Sequence, residues 1–308
     1  MISNTVKNVM VAAVFWSISL PLVAGDSKPR DITKYDQHVF VVSHRAVYKS
    51  NPENSISSIK DCIAGGVDAV EVDVRRTKDG QLVLMHDSNV RRTTDGKGNV
   101  SSLTLEKIQS LRLKKHTREL MDERVPTLEE ALRCCKDKIY VDLDLKGVSI
   151  EECMPVIKKV GCESIILYRG SYSLEEAEKI TKKYPKIHYV PRFNFRKGRS
   201  TLAWPKNSNG IEYYQSHIDT LSSSSFDIGF NSLDHPAVSK EMIEALNKLN
   251  IRTWALTLRV SNYGGFVDRN TAVAPEKVWG ELLDRGFSII MTDKAEDLIK
   301  YLKAIDRH

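Results

Sequence analysis

Residues 69–74 read Ala69-Val70-Glu71-Val72-Asp73-Val74. β-branched residues at every second position argue for a strand. Strand geometry turns Glu71 and Asp73 to one face and the three valines to the other. A second run, Tyr140-Val141-Asp142-Leu143-Asp144-Leu145-Lys146, repeats the pattern, with Asp142, Asp144 and Lys146 sharing a face. Working outward, short β-branched apolar runs recur at 39–43, 164–168, 187–192, 226–230, 252–257 and 287–292. Most precede an amphipathic stretch. Ser149/Glu152, Thr127/Glu130, Ser173/Glu176 and Asp293/Glu296 carry the spacing of a helix start. Strands separated by helices imply a parallel sheet. Eight such runs in 308 residues predict an α/β fold, a (β/α)8 TIM barrel. The alternative is a doubly wound sheet, which would more readily carry a glycine-rich first turn; no G-x-G-x-x-G follows the first run.

Two segments break the repeat. Residues 81–86 form a ninth strand-like run, joined to the second through Thr77-Lys78-Asp79-Gly80, a hairpin signal. This places a small inserted subdomain, about 81–126, between barrel strands two and three. Residues 195–225, rich in Ser, Asn and Lys, read as a long loop bordering a site.

At the chain's beginning, residues 9–20 are nearly unbroken apolar chain behind the single charge of Lys7, and Pro21-Leu22-Val23-Ala24-Gly25 precede Asp26. Basic, apolar and small-residue regions in that order predict a signal peptide over 1–25 and one domain over 26–308. The apolar run is shorter than the roughly 20 residues of a spanning helix. The expectation is therefore a periplasmic or secreted protein without stable membrane insertion after cleavage. Export permits disulfides, but Cys62, Cys134, Cys135, Cys153 and Cys162 are odd in number and lack zinc-site spacing, so they read as small buried apolar residues. The 28% of charged residues and the net charge of +6 lack the dense basic stripe of a nucleic-acid binder and suit an anionic small molecule.

Carboxylates inside strands that should be apolar need compensation. In a barrel of this kind the C-terminal strand ends build the functional site. Glu71, Asp73 and Asp144 lie toward such ends, as do His44 and Arg45. Oxygen-only ligands favour a hard divalent ion, Mg²⁺ or Ca²⁺. The competing reading is a salt-bridge network with Lys146 and Arg45.

Around these residues runs an ordered string: Val42-Ser43-His44-Arg45, Asn51-Pro52-Glu53-Asn54, Glu71-Val72-Asp73-Val74, Thr77-Lys78-Asp79-Gly80, His86-Asp87, Arg92-Thr93-Thr94 with Gly96 and Gly98, and Val125-Pro126-Thr127-Leu128-Glu129-Glu130. Trp254 in Thr253-Trp254-Ala255-Leu256-Thr257 and the run Gly286-Phe287 to Thr292-Asp293 follow. Together, over residues 40–303, they resemble the glycerophosphodiester phosphodiesterase family. The resemblance implies a metal-dependent barrel enzyme, with an insertion after its second strand, that cleaves a small glycerophosphodiester into glycerol 3-phosphate and an alcohol. By position it implies that His44 and His86 are catalytic and that Glu71, Asp73 and Asp144 bind the metal. It further implies that Arg45 and Lys146 bind phosphate and that Trp254 packs on glycerol. Three positions depart from the family's pattern: Ala46 stands for a Gly, Asp144 for a Glu, and Thr257 for an Asn. Two other functions use the same residues: phospholipase D-like cleavage of a lysophospholipid or sphingolipid head group, and a non-catalytic phosphate-ester binding module.

Overall fold

The computed structural model describes residues 28–195, 211–259 and 263–308; the expected signal peptide lies outside them. Among the described residues the strands are β1 (Phe40–Ser43), β2 (Ala69–Arg76), β3 (Leu82–Leu84), β4 (Arg112–Lys114), β5 (Leu120–Arg124), β6 (Tyr140–Leu145), β7 (Ile166–Gly170), β8 (His188–Asn194), β9 (Ser225–Gly229), β10 (Arg252–Leu256) and β11 (Ile289–Thr292).

Eight of them close a parallel barrel in the order β1-β2-β6-β7-β8-β9-β10-β11, with β1 returning to β11. Closure excludes the doubly wound alternative and leaves no open edge in the ring. The strands are covered on both faces, as parallel strands must be: Val70, Val72 and Val74 are fully buried beneath the outer layer, while Glu71 and Asp73 point the other way. β2 and β6 run in register, so Glu71 lies beside Asp142 and Asp73 beside Asp144.

Three expected helix starts are reciprocal capping boxes, at Thr127, Ser149 and Ser173, heading helices Leu128–Cys135, Ile150–Val160 and Leu174–Lys183. Each such cap stabilises its helix by about 1 kcal/mol. The fourth, at Asp293, is not made: helix Ala295–Ala304 has Lys294 at its N-cap without a side-chain bond. Helix Ile56–Gly65 starts on the Ser55 hydroxyl and stops at Gly66, whose φ of 81° favours glycine.

After β2 the chain turns back. β3 pairs antiparallel with β2, Val74 opposite Leu84. β4 and β5 form a separate antiparallel hairpin. Val83, Met85, Val90, Val100, Ile108 and Val125 pack in an apolar cluster of their own, distinct from the barrel core. The expected 195–225 loop is partly wrong. Helix Ile211–Leu221 occupies its second half, and residues 196–210 lie outside the described residues. The five cysteines are unpaired, and all but Cys134 are buried. No helix of the described residues is long and apolar enough to cross a membrane.

Candidate active site

His44 and Arg45 leave the C-terminal end of β1 in a single 3-10 turn, His44–Ala46. Barrel closure decides what they meet. The register Ser43 to Thr292 places His44 next to Asp293, and His44 Nδ1 lies 2.7 Å from Asp293 Oδ1. Asp293 is held in turn: its amide donates to Asp268 Oδ2 at 2.7 Å, and the Thr292 hydroxyl donates to Asp268 Oδ1 at 2.7 Å. Thr257, the position of the missing Asn, donates its hydroxyl to the same buried Asp268. It is 0% exposed, so it faces this network and not a ligand space. Burial pushes the Asp268 carboxyl up to about 6 against those three donors. Burial also opposes ionisation of Asp293, but the His44 hydrogen bond and charge outweigh it and leave its pKa below the usual carboxylate value.

His86 arrives from the other direction, just beyond β3. Its backbone carbonyl accepts from Arg75 Nε at 3.0 Å and Nη2 at 2.7 Å, and its Nδ1 lies 2.7 Å from Asp87 Oδ1. The Arg92 guanidinium, donating to Asp87 at 2.8 Å, holds that carboxyl well below the usual range, with His86 adding to the effect. Arg92 also grips Glu53 through two bonds of 2.7 Å, and Glu53 lies 3.3 Å from Arg45. A continuous chain of charges, Arg45–Glu53–Arg92–Asp87, thus joins the two histidine segments. Each imidazole has Nδ1 on a carboxylate, which leaves Nε2 as the nitrogen able to exchange a proton with another partner.

Beside Arg45 lie the carboxylates. One oxygen each of Glu71, Asp73 and Asp144 all fall within 4.8 Å of one another. The Arg45 amide donates to Glu71 Oε2 at 2.7 Å. Asn54 fixes Asp73 from two sides, donating to Oδ2 at 2.8 Å and accepting from its amide at 3.0 Å. Lys146 Nζ reaches Asp73 Oδ1 at 3.2 Å and Asp144 Oδ2 at 2.6 Å. Lys146 outweighs burial at Asp144, whose pKa is lowered. Glu71 is the opposite case: burial, then Asp73, Asp142 and Asp144, push its pKa well up. Glu71 Oε1 is buried and has no hydrogen-bond donor.

Both readings of these acids are therefore partly realised. Lys146 bridges Asp73 and Asp144, and Arg45 Nε lies 3.7 Å from Asp73, yet Glu71 keeps a buried oxygen with no donor. Such an atom costs about 1–3 kcal/mol or more, and a cation would relieve it. Three oxygen ligands, one of them 42% exposed at Asp144, fit a hard divalent ion with room for water.

Arg45, Lys146, His44, Glu71, Asp73 and Asp144 are thus brought together, and the charge chain ties His86 to them. Trp254 is not. It is 0% exposed, and its ring lies under the Arg169 guanidinium, 5.2 Å away. Arg169 is pinned there by Asp142 at 2.7 Å and Asp227 at 3.1 Å, so the expected glycerol contact finds no open ring face. Burial lifts Asp142 to about 6 despite Arg169. Sequence reading missed Asp293, Asp268 and Arg92. The signal for Asp293 was its place at the end of the last strand, which closure sets against the first.

Residues 44–296 match the glycerophosphoryl diester phosphodiesterase family. The chain belongs to this family. Over 148 residues it is 36% identical to glycerophosphodiester phosphodiesterase 1 of Mus musculus, a match covering 47% of this chain and 43% of the mouse protein. The chain thus spans less than half the length of that relative. Among solved structures, a glycerophosphoryl diester phosphodiesterase from Parabacteroides distasonis superposes with a TM-score of 0.70 at 23% identity, covering 89% of this chain and 90% of that one. A phosphodiesterase from Oleispira antarctica gives 0.61 at 20% identity, covering 86% and 96%. At these identities the two structures speak for the fold, the family's barrel.

Proposed function

We propose that this member of the family hydrolyses small glycerophosphodiesters to glycerol 3-phosphate and an alcohol, and that it does so after export through residues 1–25. The observation that carries the reading is the pair of imidazoles, His44 on Asp293 and His86 on Asp87, set about one acidic pocket and joined by the Arg45–Glu53–Arg92 chain. The Oleispira antarctica relative was solved in complex with the product sn-glycerol-3-phosphate, which supports the same product here.

Glu71, Asp73 and Asp144 are the residues that would hold Mg²⁺ or Ca²⁺. Such an ion supplies charge neutralisation at the phosphate oxygens and orientation of the nucleophile. Arg45 grips phosphate oxygens as a fork, and Lys146 adds a point charge. Because each Nδ1–H is committed to a carboxylate, each Nε2 has a single task. One takes the proton of the attacking hydroxyl as its oxygen bonds phosphorus. The other, protonated beforehand, gives its proton to the departing alkoxide oxygen as the phosphorus–oxygen bond breaks. Asp293 and Asp87 stabilise the imidazolium formed or consumed.

The test is a coupled assay for glycerol 3-phosphate release from a panel of deacylated phospholipids, with Ca²⁺ or Mg²⁺ and with chelator. Release that stops with chelator, and falls at least about 10²-fold in His44→Ala and in His86→Ala, is expected. Near-normal turnover in either variant overturns the assignment. Tight substrate binding without turnover in the wild type would mark a binding module instead. The amino-terminal sequence of the exported protein checks the signal.

A further inference from the structure

The opposite end of the barrel carries a second group of metal-competent side chains. His38 precedes β1, Asp68 closes the turn into β2, and His308 follows the last helix. One nitrogen or oxygen of each lies within 4.8 Å of the others. The three side chains are only 10%, 9% and 6% exposed. The two imidazoles stack, with centroids 4.6 Å apart and planes 25° apart.

Part of this group is satisfied. His38 Nε2 lies 2.7 Å from Asp68 Oδ1, and the Val41 amide donates to Asp68 Oδ2 at 2.8 Å. His308 is not. Its Nε2 lies 2.9 Å from the Gly66 carbonyl, so that nitrogen carries the ring proton and donates it. Burial lowers the His308 pKa, so the ring is neutral near pH 7 and its Nδ1 bears a lone pair. The polar atoms facing it are acceptors: the Val39 carbonyl at 3.4 Å and Asp68 Oδ2 at 3.7 Å. A buried lone pair turned toward two acceptors is unfavourable unless a cation lies between.

We propose that His38, Asp68 and His308 form a transition-metal site, taking Zn²⁺ with a water as fourth ligand. Two imidazoles and one carboxylate are a zinc-type set, unlike the all-oxygen set of Glu71, Asp73 and Asp144. The His308 Nε2–H bond to the Gly66 carbonyl is the outer contact that fixes a ligating histidine's tautomer. On binding, the His38 ring proton moves from Nε2 to Nδ1, and Nε2 and His308 Nδ1 both face the ion. The site joins residues 38, 68 and 308, so an occupied site restrains long stretches of chain and stabilises the fold by mass action. It is remote from the phosphodiesterase site, and its test does not depend on that reading.

The test titrates the metal-stripped full chain with Zn²⁺ alone, by calorimetry, in wild type, Glu71→Gln and His308→Ala. Wild type and Glu71→Gln are expected to bind zinc alike at this site, and His308→Ala to bind it at least about 100-fold more weakly. Co²⁺ alone should give the visible absorption of a four-coordinate site in Glu71→Gln. Glycerol 3-phosphate release by His308→Ala with Mg²⁺ should match the wild type. X-ray absorption of zinc-loaded Glu71→Gln should show imidazole scattering, a readout that stands even where His308→Ala does not fold. Equal zinc affinity in wild type and His308→Ala, or an oxygen-only shell, overturns the site; in that case a proton on His308 is the missing cation.

Discussion

The side chains that hold His44 matter as much as His44 itself. Asp293 meets the ring at 2.7 Å and is buttressed by Asp268. An Asn at 293 keeps the shape but loses the charge that favours the imidazolium and the Nδ1–H tautomer. Asp293→Asn is expected to lower kcat at least about tenfold with little change in KM and to shift the kcat–pH profile. Steady-state kinetics across pH decide it, and an unshifted profile would mean that Asp293 is only structural. Ala46 makes the opposite kind of prediction. It holds φ at 52° where the family's pattern has Gly. A left-handed residue with a Cβ costs roughly 1–2 kcal/mol, while the buried methyl contributes about 0.8 kcal/mol. The two nearly cancel. Ala46→Gly should therefore change unfolding free energy by less than about 1 kcal/mol and keep turnover, as urea melts and the release assay will show.

At the level of elements, Glu53, Arg92 and Asp87 clamp the loop after β1 to the segment after β3. Arg92 holds the Asp87 pKa below its unfolded value of about 3.9. A depressed carboxylate contributes stability above the unfolded pKa and loses it as pH falls through the folded one. Asp87→Asn should therefore be less stable than wild type near neutrality, by no more than about 1 kcal/mol for a half-open pair. The gap should begin to narrow as pH falls below about 4 and shrink further toward the folded pKa; denaturant midpoints at pH 7 and pH 3 measure the trend. Element by element, the barrel was legible because β-branched runs and capping pairs state strand and helix locally. Helix Ile211–Leu221 was not, although Ile211, Tyr214, Ile218 and Leu221 keep helical spacing; the surrounding Ser, Asn and Lys outweighed that signal. The role of Asp293 was hidden for another reason. Its spacing to Glu296 is that of a cap, and only ring closure sets it against His44. Trp254 shows the same limit, since nothing local says that Arg169 covers it.

For the molecule as a whole, the acidic pocket carries a cost in stability. Glu71 Oε1 sits buried without a donor. In metal-stripped protein, Glu71→Gln puts an amide N–H where a carboxylate oxygen faced other carboxylates. It should equal or exceed the wild type in stability by about 1–2 kcal/mol. The Mg²⁺- or Ca²⁺-dependent rise in Tm should be lost in the same variant. A Glu71→Gln protein destabilised without metal would show that the pocket is a closed ion-pair network needing no ion.

His44 hangs from the barrel wall, whereas His86 stands on a stretch packed around Val83, Met85, Val90 and Ile108 outside the main core. A small cluster of that kind opens before the ring does. Heating should thus disarm this protein in two stages: glycerol 3-phosphate release fails at a temperature where far-ultraviolet dichroism still reports an intact barrel, and cooling restores it.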